Sequence, residues 1–116
     1  MQAEDLLNMV QAELDERKAQ HVTTLDVRGK TSITDYMVVA TATSNRHAKA
    51  LCDYVVEKVK AHGLQPLGVE GQLGSDWVLV DLGDVVLHVM TGQAREFYQL
   101  EKLWSVGEAP GVHRMP

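Results

Sequence analysis

The sequence predicts a single α/β domain, and three observations predict it. Its 116 residues lie within the ~100–200 typical of one domain, so a second core would be too small. Segments with helical spacing of apolar residues alternate with segments of strand character along most of the chain. The composition is that of a globular domain, with 45% hydrophobic and 23% charged residues, which excludes disordered, collagen-like and coiled-coil chains. Cys52 is the single cysteine, so no intrachain disulfide can form. A chain of this size buries ~65% of the surface it exposes when unfolded and does not need that staple.

Ala3, Leu6, Leu7, Val10 and Leu14 recur at three- and four-residue spacing, predicting an amphipathic helix over residues 2 to about 19. Glu4 and Asp5 in its first turn and Arg17 and Lys18 in its last complement the helix dipole. Val22–Val27 and Tyr36–Thr41 are short and rich in β-branched residues and read as strands, with Gly29 and Lys30 in the link between them. Thr43 or Ser44 can cap a second helix with the stripe Ala48, Leu51, Val55 and Val59. Lys58, Lys60 and His62 fall in its last turn, and Gly63 supplies the stop. Leu64–Glu70 contains Pro66 and Gly68, which suits a strand at a sheet edge. Residues 93 to about 103 read as a third helix with Phe97, Leu100 and Leu103 or Trp104 as its stripe. Ser105–Pro116 is expected to be a flexible tail.

The most informative stretch is Trp77–Leu82 and Val85–Thr91, flanking the two-residue turn signal Gly83-Asp84. That turn pairs Leu82 with Val85, Val80 with Leu87 and Val78 with Val89 on one wholly apolar face, which must be core. The opposite face then carries Asp81 with Val86, Leu79 with His88 and Trp77 with Met90. This mixed face is expected to be exposed and to meet a partner.

Charge is regional. Residues 70–101 hold Glu70, Asp76, Asp81, Asp84, Glu96 and Glu101 against Arg95 alone, a local −5 that equals the formal charge of the whole chain. Such a region attracts a basic partner and repels phosphate backbones, so direct RNA contact is expected to be minor at most. The longest uninterrupted apolar runs, Met37–Ala40 and Trp77–Val80, are far below the ~18 residues a membrane span needs. The start of the chain has no basic residue before Arg17, unlike a signal or transit peptide. With one cysteine as well, these features point to the cytoplasm.

Catalytic constellations are weak. The turn Thr41-Ala42-Thr43-Ser44-Asn45-Arg46 could offer N–H groups and hydroxyls to an anion, but helix capping accounts for them without a ligand. Asp81 and Asp84 lack the Asp-x-Asp adjacency that a two-metal phosphoryl-transfer site favours, and turn chemistry explains Asp84. His21, His47, His62, His88 and His113 show no metal-ligand spacing, and His88 reads as a partly buried strand residue. Cys52 reads as a small core residue. No cofactor or metal is expected.

The order of segments resembles the Iojap family of ribosomal silencing factors. Leu25-Asp26-Val27, Thr31-Ser32-Ile33-Thr34-Asp35-Tyr36, Thr43-Ser44-Asn45-Arg46-His47, Pro66-Leu67-Gly68-Val69-Glu70-Gly71, Trp77 through Met90, and Phe97-Tyr98-Gln99-Leu100-Glu101-Lys102-Leu103-Trp104 carry the resemblance. Ala42 stands where the family usually has Gly, which disfavours a tight anion cradle there. The resemblance implies a silencing domain over 1–104, with a mixed five-stranded sheet similar to a nucleotidyltransferase fold but without its catalytic signature. It implies binding to ribosomal protein fourteen of the large ribosomal subunit, which would keep the small subunit from joining when nutrients are scarce. Taken with the hairpin face, it makes Trp77, Asp81, Leu82, Gly83, Asp84, His88, Met90 and Tyr98 the expected partner-binding residues. An exposed apolar face also leaves room for a homodimer of the free protein. The competing expectation is a nucleotidyltransferase-like enzyme using Asp81, Asp84 and Asp26.

Overall fold

Both long helices stop where the backbone turns left-handed, and only one of the two stops uses glycine. The computed structural model describes residues 2–71 and 74–98. The first helix, α1 (Ala3–Glu16), buries Leu6, Val10 and Leu14. It also buries Glu13, whose carboxylate accepts from Arg17 Nε at 3.0 Å. It ends before the expected residue 19 because Lys18 adopts φ +65°. The Lys18 and Ala19 N–H groups then donate back to the Asp15 and Leu14 carbonyls at 3.1 and 2.9 Å. This is a Schellman stop without its usual glycine. Arg17 and Lys18 therefore lie just past the last turn, still at the negative end of the dipole.

The second helix, α2 (Asn45–Ala61), starts at Ser44, whose hydroxyl accepts from the His47 N–H at 3.0 Å. Its buried residues are Ala48, Leu51, Cys52, Val55 and Val59, the expected stripe with Cys52 added. Gly63, at φ +86°, makes the same stop: Gly63 N–H donates to Lys60 and Leu64 N–H to Val59, both at 3.0 Å. His62 is the C-cap, beyond the last turn.

The strands are β1 (Gln20–Asp26), β2 (Tyr36–Ala42), β3 (Gly68–Glu70), β4 (Trp77–Asp81) and β5 (Val85–Thr91), and a helix α3 (Gly92–Tyr98) follows. They form one mixed sheet in the order β1-β2-β5-β4-β3, in which only β2 and β5 run parallel. β2 lies between β1 and β5 and all seven of its residues are buried, as its continuous apolar run requires. The β4–β5 register is the expected one, with Val78 opposite Val89 and Val80 opposite Leu87. Leu82 N–H closes the turn onto Val85 at 2.9 Å. Gly83 takes φ +89° there, the conformation for which glycine is favoured. β3 sits at the edge and is shorter than the expected 64–70.

The sheet divides its apolar residues between two faces. Leu6, Val10 and Leu14 of α1 and the α2 stripe pack on Val38, Ala40, Val78, Val80, Leu82, Val85, Leu87 and Val89, forming one large core. On the other face Met37, Val39, Met90 and Ala94 form a small second cluster, with Leu25 and Trp77 packed against it. α3 covers one end of that face. Arg95 holds it there, donating to Thr41 Oγ1 at 2.9 Å, to Thr23 Oγ1 at 2.8 Å and to the His21 carbonyl. That carbonyl is turned toward α3 in a β-bulge between Gln20 and Thr23, where His21 has φ +48°.

Two expectations are corrected here. Met90 is fully buried rather than exposed, because α3 folds back over its face. Phe97, expected to point into the core, is 69% exposed, and Ala94 makes the inward contact instead. Leu100, Leu103, Trp104 and the tail 105–116 lie outside the described residues.

Candidate partner-binding site

Trp77 opens β4 and is half-buried on the second face. In the observed register Trp77 faces Met90 and Leu79 faces His88, so Trp77 and His88 are diagonal neighbours on one face. Trp77 Nε1–H donates to His88 Nδ1 at 3.0 Å, with ring centroids 5.7 Å apart and planes tilted by 50°. Because Nδ1 accepts, the His88 proton sits on Nε2 in the neutral ring. Burial pushes this imidazole down to about 4, so it stays neutral near pH 7.

Beside Trp77 an open cleft of about 440 Å³ is lined by Ser75, Asp76, Trp77, Gln93, Ala94 and Phe97. Two neighbours set the start of β4. Thr91 N–H donates to the Asp76 carbonyl at 3.0 Å. At Gly71, just past β3 and at φ +107°, a Cβ would sit 2.8 Å from the Trp77 carbonyl, so glycine lets the chain pass close to the start of β4.

The far end of β4 carries the acidic turn. Asp81 is half-buried and its Oδ1 accepts from Gly83 N–H at 2.9 Å, so this carboxylate helps to build the turn. Asp84 is exposed, and its carbonyl accepts from Asp35 and Tyr36 N–H at 3.1 and 3.0 Å, anchoring the loop that carries Ile33. Leu67 lies on the other side, its N–H donating to the Asp81 carbonyl at 2.8 Å. A Cβ at Gly83 would meet its side chain at 3.7 Å. Ile33 and Leu67 are 78% and 74% exposed.

The expected partner-binding residues therefore separate into layers. Asp84 is exposed, while Trp77, Asp81 and Gly83 are half-buried and reach the surface. Leu82, His88 and Met90 are buried, at 4%, 5% and 0% exposure, and lie behind that surface rather than on it. Leu82 belongs to the large core, as its pairing with Val85 requires. Tyr98 ends α3, and its side chain lies outside what is described. Ile33, Leu67 and Phe97 were absent from the expected set. For Leu67, the sequence signal was an apolar residue between Pro66 and Gly68, where a buried strand is disfavoured.

Two of the three carboxylates of the competing enzyme reading, Asp26 and Asp81, are engaged locally, and the third, Asp84, is exposed. Asp26 accepts from Arg28 Nε and Nη2 at 2.9 and 2.7 Å, and Arg28 holds it down at about 2. Asp81 serves its own turn. Among the described residues no group of three or more His, Cys, Asp or Glu side chains could hold a metal ion, and no helix is long and apolar enough to cross a membrane. The turn before α2 is likewise internally satisfied: His47 Nδ1 accepts from Thr43 N–H at 3.0 Å, and its Nε2 bonds the Arg17 carbonyl at 3.1 Å.

Fold and face together define a small α/β domain with one finished sheet face and one half-covered, acid-flanked face. The family model described as "ribosomal silencing factor during starvation" matches residues 1–115, and the chain belongs to that family. It is 43% identical over 100 residues to ribosomal silencing factor RsfS of Haemophilus influenzae, covering 86% of this chain and 98% of that protein. It is 31% identical to "Protein Iojap-related, mitochondrial" of Arabidopsis thaliana, covering 76% and 50%. It is 33% identical to "Mitochondrial assembly of ribosomal large subunit protein 1" of mouse, covering 86% and 45%. A crystal structure of a Chromobacterium violaceum protein superposes with a TM-score of 0.88 at 39% identity, covering 90% of this chain and 88% of that one. The Iojap resemblance and the mixed five-stranded fold both hold.

Proposed function

We propose that this protein represses translation in the cytoplasm by binding ribosomal protein fourteen of the large ribosomal subunit and sterically blocking the small subunit, above all under nutrient limitation. Family membership supports a ribosomal silencing role, and the mouse relative's name places that protein in large-subunit assembly. The observation on this chain that carries the reading is the second sheet face. Half-buried Trp77 lines an open cleft with exposed Phe97, and Glu70, Asp76, Asp81 and Asp84 lie along or beside β4. A central aromatic with an acidic rim suits a basic protein partner.

Co-sedimentation with isolated large subunits, small subunits and joined ribosomes tests it. Binding should be confined to large subunits, saturate near one protein per subunit, and lower the yield of joined ribosomes in proportion to occupancy. Trp77→Ala should raise the dissociation constant about 30-fold, the equivalent of ~2 kcal/mol at an interface anchor. Inhibition that persists after the protein is removed would reject a steric block.

A further inference from the structure

His88 occupies a position in the sheet where an aliphatic side chain would pack without any polar group to satisfy. It is 5% exposed, mid-strand in β5, beside the small second cluster. What the imidazole adds there is an acceptor aimed at a neighbour: Nδ1 lies 3.0 Å from the indole nitrogen of Trp77. The hydrogen bond joins a buried, immobile group to a half-buried one that lines the cleft. An indole has one polar hydrogen, and this one is engaged inside the protein. A hydrogen-bond acceptor brought to the ring gains nothing from it, whereas aliphatic or cationic surface is attracted to an indole π-face. Asp76 on the same cleft favours the same class of visitor.

We propose that His88 is a positioning residue for partner binding, holding Trp77 by its indole N–H so that the ring presents a fixed π surface to a basic side chain of the partner. The proposal rests on the reading that Trp77 meets the large subunit, and it adds how the anchor is held and what chemistry it accepts. Holding the ring in its bound orientation before contact removes an ordering cost from association.

The test uses the full chain, purified large ribosomal subunits and indole-selective ¹⁵N spectra, in which Trp77→Ala assigns the Trp77 signal. His88→Leu removes the acceptor. It should shift the Trp77 indole resonance and raise the dissociation constant about tenfold while the protein still melts cooperatively. His88→Asn, whose Oδ1 stands near the place of Nδ1, should restore the resonance and most of the affinity. His88→Gln, whose acceptor lies further out, should not, and this pair decides the matter should His88→Leu fail to fold. Equal affinities for the Asn and Gln variants would overturn the proposal, as would a shifted resonance with binding within twofold of the unaltered protein. If the unaltered protein fails to bind large subunits, the proposed function fails first. If it binds and only these contrasts are missing, the inference alone falls.

Discussion

The two faces of the sheet use the same strands for different ends. On the helical face eighteen buried residues interlock, drawn from α1, α2 and the sheet. On the other, the buried apolar cluster has four members among the described residues, and a buried histidine, a half-buried tryptophan and an arginine clamp stand among or beside them. The first face has apolar area to supply most of the folding free energy, at ~25 cal/mol per Å² buried. The second has too little to drive folding and is instead organised by directed hydrogen bonds. A face organised in that way can remain partly open to a partner while the domain stays folded.

The contrast breaks if a substitution on the helical face disturbs binding as much as stability. Leu87→Ala, at a fully buried position of β5, should cost ~2–5 kcal/mol of stability. Urea unfolding should register that loss, while the folded fraction binds large subunits with unchanged affinity.

Acid should find the second face first. His88 is lowered to about 4 from an ordinary 6.5 by burial, so below 6.5 the unfolded chain takes up a proton that the native state refuses. The stability due to its neutral, buried state is complete above pH 6.5 and is lost as the pH falls toward 4, at up to about 1.4 kcal/mol per unit and ~3 kcal/mol in all. Denaturation at pH 7, 5.5 and 4.5 should show this slope in the unaltered protein and a flatter one in His88→Asn. Parallel slopes would assign the acid sensitivity elsewhere.

Charge reversal sharpens the comparison further. Asp84 is exposed and its side chain takes no part in the observed turn contacts, which use its carbonyl and the Asp81 carboxylate. Asp84→Lys should therefore slow association with large subunits up to about fivefold at low salt, ~1 kcal/mol, leaving the melting temperature nearly unchanged. High salt should erase the difference. Asp81→Lys should also lower stability, because it removes the cap on Gly83. The smallest effect belongs to the helical face: Lys18→Gly relieves a left-handed lysine and should stabilise the domain by up to ~1 kcal/mol, with no change in binding.

What the sequence disclosed follows the same division. The helical face was legible because strand alternation and one two-residue turn fix the β4–β5 register, and the apolar set Val78, Val80, Leu82, Val85, Leu87 and Val89 could then have only one destination. The early end of α1 was hidden because a lysine does the work of the glycine that normally announces a stop. On the second face the pairings were right and the exposure of Met90 was wrong. Local spacing reveals which residues share a face but not which later segment returns to cover it. The bond from Trp77 to His88 was equally out of reach, since it depends on a rotamer rather than a pattern. For Phe97, helical spacing marked an inward residue, and the bonds from Arg95 to Thr23 and Thr41 set α3 so that Ala94 faces the sheet and Phe97 faces outward.

The single thiol gives this molecule a built-in clock. Cys52 sits 1% exposed in α2, and burial pushes it up to about 12, so in the closed fold it is neither accessible nor ionised. Modification by a thiol reagent must wait for the helical layer to open, and its rate then measures how often that happens. Large-subunit binding, proposed for the opposite side of the sheet, should slow the labelling whenever it stabilises the whole domain. A cysteine newly placed at exposed Phe97 would react at once, allowing a dye to be attached to one face while the native thiol keeps time on the other.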